Sequence, residues 1–485
     1  MNYRIVISIL GKTMLIGAIL MCFPLIVGLI YSESTYLSFL VPILALILVG
    51  LPLSFVKIKD KSIYAREGFV IVALAWIIMS LAGCLPFIIS GEIPAFADAF
   101  FETVSGFTTT GASVLQDVEI LSKSILFWRS FTHWIGGMGV LVFVLAILPG
   151  YNEGAMHLLR AESPGPSVSK LVSKISFTAR ILYGIYLLLT ILEFIFLVAG
   201  GMPVFDSILH SFSTAGTGGF GIKNDSVASY SVYSQVVIAV FMFLFGINFN
   251  IFYLISIGQF GKAFKSEELK IYCAIVLVST LTIALNIFFS TARLYDNFGV
   301  ALKDSFFQTA TIISTTGFSS IDYDAHWPTL SKSILMFLMI IGACAGSTGG
   351  GIKISRLVIL VKSVFATLKR QLHPRIVASY KFENEPVDKT TSKTIKAYFI
   401  IWCLLVICST IVLSFDPFGD LLTNFSATLA TIGNIGPGFN LVGPAMNYGG
   451  FNAFSKIWMS FIMLAGRLEI FPMLLLFFPH TWRKH

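Results

Sequence analysis

The sequence DSFFQTATIISTTGF, at residues 304–318, occurs four times along the chain in related forms, and this repetition indicates the architecture. Each copy has an aspartate, then a half-length apolar segment, then a short run rich in Thr, Ser and Gly. The other copies are DAFFETVSGFTTTGA at 98–112, DSILHSFSTAGTGGF at 206–220 and DLLTNFSATLATIGN at 420–434. A glycine lies 13 residues after each aspartate, at Gly111, Gly219, Gly317 and Gly433. We interpret the copies as internal repeats; duplication kept only for packing is the weaker alternative.

Long apolar segments surround the copies. The chain of 485 residues is 56% hydrophobic and 12% charged, and its mean hydropathy is +0.85. Soluble proteins carry about 25% charged residues, so this composition excludes a soluble enzyme. The segments long enough to cross a bilayer are roughly 5–30, 37–56, 68–90, 124–149, 178–199, 232–257, 270–290, 333–361, 396–414 and 457–479.

The order of these segments predicts an all-α polytopic membrane protein. Four pseudo-symmetric helix–pore loop–helix repeats surround one central pore, and two extra transmembrane helices precede them at the N-terminus. The predicted boundaries are 1–60 for the N-terminal pair and 61–155, 156–262, 263–370 and 371–485 for the repeats. Only the third repeat is expected to have a broken inner helix, because a run as rich in glycine as Gly342–Gly351 cannot hold a stable helix.

Lys and Arg are concentrated in alternate loops, and this asymmetry orients the chain. The positive-inside rule assigns the basic loops to the cytoplasm. These loops are 57–66, 160–180, 262–270 and 353–396, and the basic termini belong to the same side. The net charge of +8 therefore reflects membrane topology, and both termini are predicted to be cytoplasmic.

The half-length apolar segments of the four copies are the candidate functional elements. A half-helix cannot cross the hydrocarbon, and irregular backbone at that depth is tolerated only beside a water-filled cavity. The aspartates are predicted to be N-caps of the half-helices, at Asp98, Asp206, Asp304 and Asp420. The carboxyl ends of the half-helices then point inward, where their partial negative charge favours a cation.

The returning loops are predicted to form a selectivity filter. Four short loops around an axis give rings of backbone carbonyls that replace an ion's hydration shell, and glycine permits the positive φ that turns successive carbonyls to one axis. The predicted ion-binding residues are Thr109, Thr110, Gly111, Thr217, Gly218, Gly219, Thr315, Thr316, Gly317, Thr431, Ile432, Gly433 and Asn434. No organic cofactor is predicted in this chain.

Together with the loops, three further runs resemble the TrkH family of bacterial potassium-uptake proteins, in the superfamily of the Ktr and plant HKT transporters. They are WRSFTHWIGGMG at 128–139, GSTGGGIK at 346–353 and GRLE at 466–469. The resemblance covers the whole chain and implies potassium as the transported ion, the bacterial inner membrane as the location and a homodimer as the assembly. In related transporters a serine at the first filter glycine accompanies sodium passage, so Gly111 implies a preference for potassium.

Arg467 and the glycine-rich run are the predicted gate. A cation deep in a membrane segment should face a cavity or a partner. The resemblance implies that Arg467 is an electrostatic barrier below the filter; the alternative is a structural pair with Glu469 or a backbone carbonyl. Arg129, nearer the outer end of its helix, is expected to snorkel in a structural role.

The run Gly342–Gly351 is a candidate intramembrane gating loop, although small residues also provide packing surfaces between membrane helices. Its predicted gate residues are Gly346, Ser347, Thr348, Gly349, Gly350 and Gly351.

Two questions remain open from the residues alone. The basic segment Lys362–Lys396 fits simple positive-inside bias with anionic lipid contact, or docking of a cytosolic nucleotide-binding TrkA-type regulatory subunit, as the family implies. A symporter coupled to sodium or protons is the alternative to a gated pore, with Glu193 and Glu469 as sparse relay candidates. A membrane enzyme would need a catalytic cluster in the spans, and the sequence has none.

Overall fold

The computed structural model describes residues 1–58, 64–139, 175–290, 295–374 and 379–483. Helices dominate these ranges. Two N-terminal helices, Tyr3–Ile30 and Leu37–Ser54, are joined through the 3-10 turn Ser34–Tyr36. They pack closely, since a side chain at Gly11 would collide with the backbone at Gly50, the small-residue contact that membrane helices favour.

Within the described residues, six helices are long and apolar enough to cross a membrane. They are Tyr3–Ile30, Ser34–Ser54, Ala65–Ser90, Ala179–Ala199, Glu267–Phe288 and Lys389–Leu413. Apolar side chains on their outward faces are exposed, among them Leu48, Leu188 and Leu404. An apolar exterior of this kind is what a bilayer requires, because lipid tails offer no hydrogen bonds.

Four repeats follow the N-terminal pair, and each has an outer helix, a half-helix and an inner helix. The outer helices are Ala65–Gly83 (continued by Leu85–Ser90), Ile175–Ala199, Glu267–Phe288 and Lys389–Leu413. The half-helices are Phe96–Phe107, Val204–Ala215, Phe298–Ile313 and Leu421–Gly433. The inner helices are Lys123–Gly137, Val232–Phe245, Thr329–Ile341 and Ala453–Arg467. The predicted fold class is confirmed.

Interruption of the inner helices is more general than the sequence predicts. The third is broken as expected and resumes as Ile354–Leu372. The second ends at Phe245 and resumes as Phe249–Ser256 after a bend of 92°, because Asn248 turns out of the helix and caps the next one. The fourth ends at Arg467 and resumes as Phe471–Leu476. The prediction that only the third is broken is therefore wrong; the inner part of the segment 124–149 lies outside the described residues.

The connections contain a few short elements. These are the helices Phe260–Ala263, Tyr323–His326 and Pro479–Trp482, the 3-10 turn Asn440–Val442 and the strands Lys381–Phe382 and Glu385–Pro386. The two strands form a small antiparallel hairpin. Its tip, Glu383 and Asn384, has positive φ values of 51° and 64°.

The buried core closes the repeats into a ring. One apolar cluster joins the N-terminal helices and the first repeat to the inner helix of the fourth, for example through Phe101, Trp128 and Met463. A second cluster joins the third repeat to the fourth, as at Met339 and Ile432. The fourth repeat thus packs against both the first and the third, which surrounds a central axis.

Candidate functional site

All four half-helices end in the same hydrogen-bond pattern. In the first, the amide of Thr109 donates to the carbonyl of Gly106 at 3.1 Å, and the amide of Thr110 donates to the carbonyl of Ser105 at 2.9 Å. Thr109 leaves the helix with a φ of +55°, as in a left-handed helix C-cap. The residues with the same bonds and a positive φ in the other repeats are Thr217, Thr315 and Asn434.

A glycine with positive φ follows two residues later in each return loop. The φ values are 78° at Gly111, 74° at Gly219, 94° at Gly317 and 100° at Gly436. We call these four residues the ring glycines. All four line one cavity of about 120 Å³, so the loops meet at a common axis.

The fourth ring glycine is Gly436, not Gly433, which the sequence pattern aligns with the other three glycines. Gly433 is the last residue of its half-helix, and Thr431 and Ile432 lie in the final turn. This half-helix starts directly after Asp420, which lies outside it as the N-cap. In the fourth repeat the return loop therefore begins farther along the chain from its aspartate than it does in the other three repeats.

The ring glycines pack in a closed order. A side chain on Gly111 would collide with the carbonyl of the residue before Gly219, in the second loop. The same relation holds from each loop to the next: Gly219 faces the Thr316 carbonyl, Gly317 the Ile435 carbonyl and Gly436 the Thr110 carbonyl. The last contact returns to the first loop. The four loops thus form a continuous ring in which only glycine fits at the shared position.

Three of the four aspartates are not the predicted N-caps. The half-helices begin earlier than the pattern suggests, and their N-caps are Ala95, Pro203 and Asn297. Only the fourth aspartate is an N-cap: Asp420 accepts from the Thr423 amide at 2.8 Å. The others bind cations or hydroxyls: Asp98 with Lys456 at 2.6 Å, Asp206 with Tyr230 at 2.8 Å and Asp304 with Lys303 at 2.8 Å.

Glycines of the inner elements cover the carboxyl ends of the half-helices. A side chain at any of three glycines would collide with a half-helix carbonyl. The colliding carbonyls are that of Phe107 for Gly136, that of Ile432 for Gly466 and that of Ser314 for Gly349. The glycine-rich loop Gly342–Gly351 forms part of this layer. Its Gly350 amide donates to the hydroxyl of Thr315 at 2.6 Å, so the loop lies directly against the third return loop.

The predicted gate residues occupy this loop in a well-bonded conformation. The Thr348 hydroxyl donates to the Phe245 carbonyl at 3.3 Å, and the Gly346 carbonyl accepts from the Phe249 amide at 3.0 Å. These contacts hold the loop against the break in the second inner helix. Gly346 and Gly351 have positive φ, 66° and 76°, and Ser347 turns back onto the Cys344 carbonyl at 2.6 Å.

Glu268 anchors both ends of the loop. Its Oε1 accepts from the amide of Ala345 at 2.7 Å and from the amide of Ser355 at 3.2 Å, and its Oε2 lies 3.5 Å from the side-chain amide of Asn248. The sequence analysis missed Glu268 because it stands in a charged run at a helix end. Lys353 was assigned to the cytoplasmic basic loop; in the structure it is buried and donates to the Gly349 carbonyl.

Arg467 links three repeats below the ring. Its guanidinium donates to the carbonyls of Thr348 at 2.7 Å, Gly136 at 2.6 Å and Gly137 at 2.7 Å. The side chain is buried, and its partners belong to the first repeat and the glycine-rich loop. Of the alternatives raised by the sequence, the backbone-carbonyl contacts are present, whereas Glu469 pairs with Arg356.

Arg129 does not snorkel. It is buried in the inner helix of the first repeat, with 2% of its surface exposed, and it forms an ion pair with Glu102 at 2.8 Å. The sequence analysis also missed Glu102, whose partner lies on another helix. The structural role of Arg129 stays a prediction, and its partner lies inside the protein.

These features define a polytopic membrane protein of the class in which four helix–pore loop–helix repeats surround one central pathway. Comparison with known proteins agrees. The TrkH family model, described as cation transport protein, matches residues 38–484. The chain is 35% identical to the Trk system potassium uptake protein TrkH of Salmonella typhimurium and 36% identical to that of Vibrio parahaemolyticus, each over 100% of both chains.

A solved structure is similar throughout. The crystal structure of the potassium transporter TrkH from Vibrio parahaemolyticus matches with a TM-score of 0.88 and 32% identity, covering 100% of both chains. The present chain therefore belongs to the TrkH family.

Proposed function

We propose that this protein conducts potassium ions across the bacterial inner membrane through a selectivity filter made by its four return loops. The closed ring of glycines and carbonyls carries the proposal. Rings of backbone carbonyls can replace the hydration shell of a dehydrated monovalent cation. The four half-helices direct the negative ends of their dipoles to the same axis. The Trk potassium uptake names of full-length relatives support potassium as the ion.

The filter residues of this proposal follow the structural register. They are Thr109 to Gly111, Thr217 to Gly219, Thr315 to Gly317 and Asn434 to Gly436. Asn434 keeps its place from the sequence-based set, whereas Thr431, Ile432 and Gly433 belong to the half-helix that supports it.

The glycine-rich loop and Arg467 together form the proposed gate. The loop lies against the inner side of the third return loop, and Arg467 bonds to its Thr348 carbonyl. A guanidinium in the path repels a cation that has shed its water, because the low-dielectric surroundings screen charge weakly. Withdrawal of the loop would remove the obstruction and one of the three carbonyl contacts of Arg467, which weakens its hold in the path while the contacts with Gly136 and Gly137 remain.

Ion flux into proteoliposomes tests the proposal. Purified protein is reconstituted, and uptake of potassium, rubidium, sodium and lithium is measured in turn against empty vesicles. We expect potassium and rubidium to enter readily and sodium and lithium poorly, because a rigid carbonyl ring compensates the smaller ions less well for their lost water. Equal uptake of all four ions, or none above empty vesicles, would overturn the proposed filter.

Ion-coupled symport is the second candidate, and one observation favours it. Glu193 is fully buried in the outer helix of the second repeat, and a carboxyl group within a membrane helix is a candidate proton site. Reversal potentials separate the two candidates. A pore gives a potential that follows the potassium gradient alone, whereas a symporter gives one that shifts when the proton or sodium gradient is changed.

We also propose the assembly that the family resemblance implies: a homodimer, with both termini cytoplasmic, that docks a nucleotide-binding TrkA-type subunit on the basic segment 362–396. The hairpin of this segment supports the docking site. Its Glu383 accepts from the amides of Glu267 and Glu268 at 3.1 and 3.0 Å, next to the anchor of the glycine-rich loop. Copurification of the two subunits, lost when the hairpin is replaced by a glycine–serine linker, is the expected result.

A further inference from the structure

One buried ion pair stands behind the first two return loops. Arg129 Nε donates to Glu102 Oε1 at 2.9 Å, and a terminal nitrogen of the same guanidinium lies 2.8 Å from that oxygen. Glu102 is fully buried on the first half-helix, and Arg129 is almost fully buried on the first inner helix. The pair therefore joins the two helices that flank the first return loop.

Glu102 also binds the chain just beyond the first ring glycine, Gly111. Glu102 accepts from the Ser113 hydroxyl and from the Val114 amide, each at 3.0 Å. These two residues follow Gly111 closely in the first loop.

Arg129 contacts the second return loop as well. Its Nη1 donates to the Gly221 carbonyl at 3.3 Å, and its guanidinium carbon lies 4.1 Å from the ring centre of Phe220. Phe220 directly follows Gly219. A single charge pair thus fixes the outer side of both loops, where the ring glycine of one meets the carbonyl of the other.

The corresponding positions of the third repeat carry no charge. The sequence SKSIL occurs at 122–126 and again at 331–335, which aligns Arg129 with Leu338. Glu102 and Gln308 both lie four residues after a repeat aspartate. Gln308 donates to the Ser319 hydroxyl at 3.2 Å in its own return loop. A neutral glutamine–leucine combination is therefore compatible with this fold.

The fold therefore does not require a charged pair at the corresponding positions of the third repeat. Burying two ions carries a desolvation penalty that their attraction often fails to recover, and apolar replacements are frequently as stable. What a charge-assisted pair supplies, here through two guanidinium nitrogens on one carboxylate oxygen, is fixed geometry. At this position, fixed geometry means a fixed spacing between the first and second return loops.

We propose that Glu102 and Arg129 are positioning residues for ion selectivity: their ion pair clamps the first two return loops at the spacing that favours potassium over sodium. This inference rests on the proposed filter function. Without the clamp, the loops relax and their carbonyls approach a smaller ion more closely. Discrimination then falls while the pathway stays open.

The test places the side chains of the third repeat, glutamine and leucine, at the corresponding positions of the first repeat. The double variant Glu102→Gln/Arg129→Leu is compared with each single variant and with the unmodified protein. The single variants leave one buried group without its partner and are expected to reduce the yield of folded protein. The double variant is expected to fold, as shown by a monodisperse peak in detergent, and to keep rubidium uptake within about twofold.

Selectivity is the deciding readout. We expect the rubidium-to-sodium uptake ratio of the double variant to fall about tenfold, the change that corresponds to losing one charge-assisted hydrogen bond. An unchanged ratio in a folded, conducting double variant would overturn the proposal. Lys332→Gln is the matched control: it removes the partly exposed pair with Asp324, whose atoms lie 3.1 Å apart, and should leave the ratio unchanged. If the unmodified protein conducts no rubidium, the proposed function itself fails, which is a different result.

Discussion

The carboxylate of Glu268 accepts a hydrogen bond from the backbone amide of Ala345 at 2.7 Å. This contact ties the outer helix of the third repeat to the start of the glycine-rich loop, and the same oxygen holds the Ser355 amide beyond the loop's end. The amide of Glu268 in turn donates to Glu383 of the hairpin at residues 381–386. A continuous set of contacts therefore runs from the hairpin to the loop below the ring.

Glu268→Ala should raise resting potassium flux. The loop loses the acceptor at both of its ends, and a hydrogen bond to a charged group contributes about 1.5–3 kcal/mol, so the withdrawn state becomes more populated. Rubidium uptake in proteoliposomes measures the change. Glu267→Ala is the control, since that residue pairs at the surface with Lys362. Equal flux in Glu268→Ala and the unmodified protein would contradict the anchoring role.

Arg467→Ala should also raise flux, for a different reason. It removes the positive charge and all three carbonyl contacts below the ring. Arg467→Lys keeps the charge but lacks the planar fork that reaches several acceptors, and should give an intermediate flux. Single-exponential uptake rates at matched protein density provide the comparison. Unchanged or lower flux in Arg467→Ala, at normal expression, would count against the barrier.

Gly111→Ser should weaken discrimination against sodium. The new Cβ collides with the Gly218 carbonyl, and the positive φ of 78° strains any L-residue, so the ring must open at this point. The rubidium-to-sodium uptake ratio is the measurement. Retention of the original ratio would remove Gly111 from the filter.

Gly436→Ala and Gly433→Ala distinguish the two registers of the fourth loop. Gly436 has a φ of 100°, and its Cβ space is closed by the Thr110 carbonyl at 2.7 Å. At Gly433 the nearest atom is the end of the flexible Ile435 side chain at 2.9 Å, which can move. We therefore expect selectivity loss in the first variant and near-normal uptake in the second; the opposite ranking would favour the register read from the sequence.

Asp420→Ala should lower stability by about 1 kcal/mol, the usual contribution of an N-cap. Hydrogen bonds from Thr423 and Asn440 lower the pKa of the Asp420 carboxyl. A lowered pKa means that the folded state prefers the carboxylate, so the stabilisation is present above the unfolded pKa of about 3.9 and is lost as the pH falls through the folded value.

Thermal melting in detergent measures this effect. The difference between Asp420→Ala and the unmodified protein should be present at neutral pH and shrink in acid. A difference that is the same at both pH values would contradict the capping role.

The sequence predicts the local parts of the site and fails where contacts are distant. Three ring glycines follow from their spacing because helix, turn and glycine are adjacent in the chain. Gly436 was missed because Asp420 caps its helix while Asp98 and Asp206 lie inside theirs, a difference of helix start that the letters do not reveal.

Long-range pairing explains the other omissions. Glu102 and Glu268 depend on partners 27 and 77 residues away, and neither stands in a recognisable motif. The break after Phe245 was also missed, because the apolar run continues through it and the interruption comes from Asn248 and its contacts with the third repeat.

The closed order of the ring glycines makes the four repeats sterically dependent on one another. The space that a side chain would occupy at each ring glycine is filled by a main-chain carbonyl of the next loop, in the same direction around the ring. A side chain added at any ring glycine would therefore displace the main chain of a different repeat, far away in the sequence, before it disturbed its own loop.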